Sequence, residues 1–337
     1  MEKKIIQKIK TLLKSPKKIV IITHANPDGD ALGSILALYG IFKKLNHDIT
    51  LITPDAYPSF LAWMPFSKKI CIYNKTPEKV IKKINDAELI FCLDFNSSKR
   101  MDKVEPFFLQ SKATKILIDH HLKPALFTDY TISITNTSST AEIIYDFILA
   151  CGYKKLLDKQ IAESIYVGII TDTGSFSYSC NHPKTYIIIS ELMKLGIDGA
   201  KIHQLIYDTY SESRMRLLGY CLSEKLKVIP KYNTAYISLS KKDLLKYNHQ
   251  LGDTEGIVNF ALSIENVKMA ALFVEKEENI KISLRSVGNI AVNEIAKKYY
   301  SGGGHKNASG GSSYVNMKET LSFFENNLSL FLSENKK

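Results

Sequence analysis

The stretch at 19–34 reads Ile-Val-Ile-Ile-Thr-His-Ala-Asn-Pro-Asp-Gly-Asp-Ala-Leu-Gly-Ser, and it gathers one imidazole, His24, with two carboxylates, Asp28 and Asp30. The aspartates flank a single glycine, so in an extended turn both can point the same way, at a cost in like-charge repulsion. A cation between them removes that cost. One imidazole among oxygen ligands suits manganese, magnesium or iron rather than a thiolate-ringed structural zinc. The plain alternative is a Pro-Asp-Gly-Asp turn with a helix cap, since Asp and Gly are common turn formers.

The same chemistry recurs further on. Glu88-Leu89-Ile90-Phe91-Cys92-Leu93 is a buried-strand pattern that ends in Asp94, and Thr114-Lys115-Ile116-Leu117-Ile118 repeats it and ends in Asp119-His120-His121. Helical periodicity at about 158–170 gives out at Thr171-Asp172-Thr173-Gly174-Ser175-Phe176, so Asp172 also follows an apolar stretch. Apolar strands that each end in metal-type ligands favour one shared site over unrelated caps. Asn136-Thr137-Ser138-Ser139-Thr140-Ala141-Glu142 opens a helix with several hydroxyls, either a run of N-caps or a helix start that binds an oxyanion.

The elements that must position these groups follow from the patterning. Five β-favouring residues lead up to His24 as a short buried strand, and Asn26-Pro27 cuts it off. A helix at about 31–46 and a strand at 48–53 come next, and the continued alternation predicts a parallel sheet flanked by helices. In such sheets ligands collect at the carboxyl ends of the strands. The loop at 54–66 holds Trp63, read as a core anchor. Helical segments at about 183–195, 199–210 and 212–224 then follow with no strand between them, which marks a domain junction.

Beyond 225, strand-like segments at 228–230, 235–239, 267–275 and 280–284 alternate with helices near 254–263 and 290–300, so a second, smaller α/β domain is expected. It contains Leu284-Arg285-Ser286 and Ser301-Gly302-Gly303-Gly304-His305-Lys306-Asn307-Ala308-Ser309-Gly310-Gly311. Consecutive glycines let backbone N–H groups approach an anion, so the run reads as a loop forming a phosphate-sized nest. A flexible hinge is the alternative; Arg285 upstream and His305 inside tilt the reading toward binding.

A chain of 337 residues, 45% apolar and 23% charged, has room for two ordinary globular domains. No apolar run reaches the roughly 20 residues that span a bilayer. The basic N-terminal segment leads into a helical spacing at Ile5, Ile6, Ile9, Leu12 and Leu13 rather than a signal-peptide core, and a cytoplasmic location is expected. Cys71, Cys92, Cys151, Cys180 and Cys221 are scattered and read as reduced core residues. The net charge of +11 fits an anionic partner and also plain solubility. Of the 45 basic residues only Arg100, Arg214, Arg216 and Arg285 are arginines, and a lysine-dominated chain keeps arginine where a planar, bidentate donor is wanted.

Taken together, His24-x-x-x-Asp28-x-Asp30, Asp94, Asp119-His120-His121 and Asp172 resemble the four motifs of the DHH phosphoesterase family, and Gly302-Gly303-Gly304-His305 is similar to the signature of its DHH-associated C-terminal domain. The resemblance spans nearly the whole chain. It implies a parallel-sheet catalytic domain at 1–190, a helical linker at 191–225 and a smaller α/β substrate-binding domain at 226–337. Compact two-domain members hydrolyse short oligoribonucleotides to mononucleotides and pAp to AMP, and that activity is implied here. A soluble cyclic-di-AMP or pApA phosphodiesterase is the alternative, and a non-catalytic nucleotide-binding protein a remoter one.

By the same resemblance His24 and Asp28 hold one manganese, Asp30, His120 and Asp172 hold the other, and Asp94 bridges them; magnesium is the alternative ion. His121 then contacts the scissile phosphate, and Asp119 acts on the neighbouring histidines from behind. Arg285, Ser286, Gly302, Gly303, Gly304, His305 and Arg100 are the implied substrate contacts. Two cations would make water a nucleophile near neutral pH and neutralise the phosphate oxygens, so no side-chain nucleophile is required. Family II pyrophosphatases carry a different second domain, RecJ-type exonucleases add a nucleic-acid-binding domain, and membrane-bound cyclic-di-AMP hydrolases add transmembrane segments. The expected partners are short RNA and pAp-type nucleotides, with no membrane and with a homodimer as an option.

Overall fold

The computed structural model describes residues 2–178, 180–250 and 252–333, so the outer limits expected at positions 1 and 337 lie outside the described residues. The chain divides into two units, Met1–Thr209 and Tyr210–Lys337.

In the first unit the strands are β1 (Lys18–Ile22), β2 (Asp48–Thr53), β3 (Ile70–Ile72), β4 (Leu89–Leu93), β5 (Thr114–Asp119) and β6 (Tyr130–Ser133). They lie in the order β3-β2-β1-β4-β5-β6, and every pairing is parallel. The near-continuous apolar runs are what a sheet covered on both faces requires. Alternation sorts them: Ile19, Ile21, Phe91, Ile116 and Ile118 enter one core, and Val20, Ile22, Ile90, Cys92 and Leu117 the other. The helices Gly29–Lys44, Thr140–Ala150 and Lys159–Asp172 cover the first face, while Pro77–Asn85 and Glu105–Gln110 cover the second through Val80, Ile84 and Phe108. Losing a fully buried ring such as Phe91 would cost about 3–5 kcal/mol. Trp63 is half-buried and packs on the first core.

Two glycines let three helices meet backbone to backbone. A Cβ at Gly33 would lie 2.5 Å from the Ser164 carbonyl oxygen, and one at Gly168 would lie 2.4 Å from Ala141 Cβ and 2.9 Å from Asp30 Oδ1. The second contact bears directly on the chemistry below.

The second unit holds β7 (Leu226–Ile229), β8 (Thr234–Leu239), β9 (Met269–Glu275), β10 (Ile280–Ser286), β11 (Gly303–His305) and β12 (Ala308–Ser313), ordered β11-β12-β10-β9-β8-β7. Only β8 and β9 run parallel; the other pairings are antiparallel. One face packs Phe273, Ile282 and Leu284 against the helices Val292–Tyr299 and Met317–Asn326, and the other packs Ile237, Leu239 and Leu272 against Ile257–Leu262.

The glycine run expected to be a loop is instead a strand. Gly303, Gly304 and His305 pair with Gly310, Ser309 and Ala308. A Cβ at Gly302 would lie 2.0 Å from the Gly310 carbonyl oxygen, and one at Gly311 would lie 2.6 Å from that of Tyr300. These glycines are therefore explained by close backbone approach inside a hairpin. The helix expected at 212–224 also stops early, at Tyr220, and passes into a wider turn at Cys221–Lys225.

Candidate active site

The strand order of the first sheet reverses between β1 and β4, and such a switch point leaves a crevice beyond the carboxyl ends of the two strands. His24 follows β1 and Asp94 follows β4. Both are buried, and His24 Nε2 lies 3.5 Å from Asp94 Oδ2. His24 Nδ1 is 2.8 Å from the Ala25 carbonyl oxygen. A carbonyl can only accept, so Nδ1 carries the proton and Nε2 faces Asp94 with its lone pair. Asp94 has a φ of 68°, a left-handed conformation that is sparsely populated outside glycine and is often found at functional sites.

Asp28 is compatible with both readings of its turn. It is the N-cap of the Gly29–Lys44 helix, with Oδ1 accepting from the backbone N–H groups of Asp30 (3.1 Å) and Ala31 (3.0 Å). It also stands with His24 and Asp94 in a group whose ligand atoms all lie within 4.8 Å of one another.

Asp30 is 1% exposed, and the start of the Thr140–Ala150 helix grips it. The Thr140 N–H donates to Oδ2 at 2.7 Å and the Ala141 N–H to Oδ1 at 2.8 Å. Both readings of this helix start therefore hold: Ser139 caps it, and it takes an oxyanion that is a side chain of the protein, held by backbone donors unpaired within the helix and the positive end of the helix dipole. Burial, and then the charges of Asp94, Asp172 and Asp28, push the Asp30 carboxyl well above the usual range against the pull of the Ala141 N–H.

Asp30, His120 and Asp172 form a second compact group, and Asp94, Asp119 and His121 a third. His120 Nε2 is 3.5 Å from Asp172 Oδ2, 3.6 Å from Asp94 Oδ1 and 3.8 Å from Asp30 Oδ2. Asp172, the last residue of its helix, is pushed up to about 6 by burial and by the charges of Asp94 and Asp28, against the pull of His120 and His121. For Asp94 burial acts upward too, but the neighbouring imidazoles of His24, His121 and His120 outweigh it and hold the carboxyl far below its ordinary range. Fully buried Asp119 accepts from His121 Nδ1 at 2.7 Å. Burial lowers His121, yet Asp119 and Asp94 more than offset this and hold it up to about 9, with Arg100 opposing.

These donors suit a hard divalent cation. The histidine-to-carboxylate separations of 3.5–3.8 Å are too long for good hydrogen bonds but fit ligands converging on a shared centre. Buried carboxylates set against one another need positive charge, and no thiol is among them. Asp94 belongs to two of the groups.

Of the expected substrate residues, Arg100 lies in this unit. It is exposed, its carbonyl accepts from the Ala25 N–H at 2.7 Å, and its charge acts on His121. The others fall in the second unit. There Arg285 and His305 both pair with Ala308, from opposite sides. Ser286 is buried, with its hydroxyl donating to the Ile290 carbonyl at 2.6 Å and accepting from Asn307 Nδ2 at 2.9 Å.

Sequence reasoning missed the residues behind the ligands. The Thr140 hydroxyl donates to Asp94 Oδ1 at 2.8 Å. Buried Glu142 accepts on Oε2 from Ser138 Oγ (2.6 Å) and Thr185 Oγ1 (2.7 Å), tying the helix start to the Pro183–Met193 helix. The hydroxyl-rich run at 137–140 was the available signal.

The description "DHH family, N-terminal domain" matches residues 18–169, and the DHHA1 domain matches 233–330. The chain is 34% identical over 304 residues to a Streptococcus mutans protein, covering 90% of this chain and 91% of that one. It is 27% identical over 302 residues to a Bacillus subtilis protein (88% and 89%) named bifunctional oligoribonuclease and PAP phosphatase; the Streptococcus protein's name carries the same two activities. Among solved structures, an exopolyphosphatase-related protein from Bacteroides fragilis superposes with a TM-score of 0.95 at 44% identity, covering 100% of this chain and 98% of that one. RecJ from Thermus thermophilus in complex with Mn2+ shares the fold, with a TM-score of 0.58 at 13% identity, covering 98% of this chain and 55% of that one. With both domains matched in order and a relative of that identity over nearly its full length, the chain belongs to the DHH phosphoesterase family.

Proposed function

We propose that this phosphoesterase hydrolyses short oligoribonucleotides to mononucleotides and pAp to AMP, using two divalent cations with manganese preferred to magnesium. The observation that carries the reading is the meeting of two ligand groups, His24-Asp28-Asp94 and Asp30-His120-Asp172, at the switch point of a parallel sheet. The activities in the names of the bacterial relatives support the substrates. The imidazole in each group supports manganese, because imidazole adds affinity for a transition metal.

When bound, such a pair supplies Lewis acidity, turning water into a nucleophile near neutral pH and neutralising phosphate oxygens. The chain's own residues do the rest. Asp94, fixed by a left-handed backbone, presents one oxygen to His24 and the other to His120. Asp119 accepts a hydrogen bond from His121 Nδ1–H and favours the protonated ring, which leaves Nε2–H as the edge that donates to a phosphate oxygen. Arg100 offers an exposed guanidinium in this unit. In the second unit Arg285 and His305 serve the nucleotide, with Gly303 and Gly304 leaving the strand backbone open to its approach, Gly302 tied to the Ala296 carbonyl beside them, and Ser286 bracing the Asn307 turn.

No helix among the described residues is long and apolar enough to cross a membrane. Free thiols at all five cysteines support a reducing compartment such as the cytoplasm. A homodimer belongs to the same reading: Tyr186, Ile187 and Met193 are exposed on one helix, and the mass in solution tests it.

The test strips the protein with EDTA, restores manganese or magnesium, and measures turnover on pAp, pApA, cyclic-di-AMP and short RNA of graded length. Manganese should restore the most activity, on pAp and the shortest RNA, and Asp94→Ala should lose more than about a thousandfold in kcat because it loosens both groups at once. Activity that survives exhaustive chelation, or turnover of cyclic-di-AMP alone, would overturn the reading.

A further inference from the structure

Thr140 contacts both ligand groups at once. Its N–H donates to Asp30 Oδ2 at 2.7 Å and its hydroxyl to Asp94 Oδ1 at 2.8 Å, and all three residues are buried. We propose that Thr140 is a positioning residue that locks Asp94 in the orientation joining the two ligand groups, an inference that rests on the two-metal reading.

The argument is one of torsional freedom. The terminal torsion of aspartate is broad, so the backbone alone does not hold the carboxylate plane at the angle that aims one oxygen at each histidine. In Asp94, Oδ2 faces His24 Nε2 at 3.5 Å, whereas Oδ1 lies 3.6 Å from His120 Nε2 and 3.8 Å from His121 Nδ1. The Thr140 hydroxyl occupies one lone-pair direction of Oδ1 and fixes the torsion. The hydroxyl is itself held in place, because the Thr140 and Ala141 N–H groups are docked on Asp30 and the Ser139 side chain caps the same turn through the Glu142 N–H at 3.1 Å. Glu142 anchors that turn through Ser138 and Thr185.

Substitution of the side chain separates the two contacts, since the N–H survives any replacement except proline. Thr140→Val keeps shape and the Asp30 contact but removes the hydroxyl; Thr140→Ser keeps the hydroxyl; Thr140→Ala removes the hydroxyl without inserting a methyl against Asp94. Groups that orient metal ligands typically contribute about 10–100-fold in metal affinity or activity. We expect wild type and Thr140→Ser to bind two manganese ions per chain with a shared, exchange-coupled electron paramagnetic resonance signature. Thr140→Val and Thr140→Ala should weaken one ion by about tenfold or more, lose most of the coupled signal, and lower kcat with KM for pAp unchanged. Circular dichroism reports whether each variant is folded, and Thr140→Ala decides the matter if Thr140→Val is not. Wild-type affinity and coupling in folded Thr140→Ala would overturn the positioning role while leaving the two-metal reading intact, as would a Thr140→Ser protein that fails as badly as Thr140→Ala. Fewer than two ions on wild type would overturn the two-metal reading itself.

Discussion

The two units are built on six strands each, yet they treat charge in opposite ways. In the first, all-parallel strands bury both faces, and the buried carboxylates, Asp30, Asp94, Asp119 and Glu142, gather at one end with His24 and His120. In the second, the mixed sheet keeps its candidate groups, Arg285, His305 and the glycines, on strands at one side, with half-buried or open surroundings. A buried ligand set must be supported by backbone geometry and neighbouring donors, because an uncompensated charge there is expensive. Half-buried side chains such as Arg285 and His305 can be truncated at less cost to the fold, whereas Gly302 and Gly304 beside them cannot change.

One substitution made in both regions sharpens this contrast most. Gly168→Ala puts a methyl 2.4 Å from Ala141 Cβ and 2.9 Å from Asp30 Oδ1, with fixed neighbours on both sides. We expect a loss of about 1–3 kcal/mol and a fall in manganese affinity, since the helix must move off the carboxylate it touches. Gly219→Ala, on an exposed helix of the second unit with nothing within 4 Å, should instead stabilise by about 0.4–1 kcal/mol. Urea unfolding with and without manganese reads both; equal effects of the same sign would break the comparison.

Next in size is Arg285→Ala. A lost hydrogen bond to a charged group costs about 1.5–3 kcal/mol, so KM for dinucleotide should rise about tenfold or more. Hydrolysis of bis-p-nitrophenyl phosphate, which offers no nucleotide to grip, should persist. Parallel losses on both substrates would mean that the second unit is not a binding platform.

The smallest effect is a pH dependence of the second unit alone. Asp243 is pushed up by burial, but bonds from Ser240, Tyr220 and Lys225 win and hold it well below the ordinary carboxylate range. Its folded value is the lower one, so its stabilisation is complete above the unfolded pKa of about 4 and is lost progressively as pH falls from there toward the folded value. The unfolding midpoint should decline on acidification in wild type and decline less in Asp243→Asn. An unchanged slope in the variant would assign the acid sensitivity to other carboxylates.

The strands bearing Asp94 and Asp119-His120-His121 were legible because an apolar run that stops on a ligand carries two signals at once. The Gly29–Lys44 and Lys159–Asp172 helices were legible from their periodicity. The clamp on Asp30 was not, because its donors are backbone N–H groups that any residue at 140 and 141 would supply. The hydroxyl run before Glu142 pointed to an anion but could not say that the anion was a side chain over a hundred positions earlier. The glycine hairpin was misread because glycine has poor strand propensity, and only the partner backbone, absent from any local pattern, explains the run. Short β3 and β6 have too few apolar residues to stand out.

The placement of Asp172 also sets a timetable. Synthesis proceeds from the N-terminus, so His24, Asp28 and Asp30 leave the ribosome well before the Lys159–Asp172 helix exists to lay Gly168 against Asp30. A nascent chain that has made β1 to β5 holds the early carboxylates without the Thr140 and Ala141 donors and without Asp172. Such an intermediate owns the His24-Asp28-Asp94 group but not the Asp30-His120-Asp172 group. Loading of the second proposed ion therefore waits for the Lys159–Asp172 helix, and the supply of that metal would govern how many finished chains become active rather than how many are made.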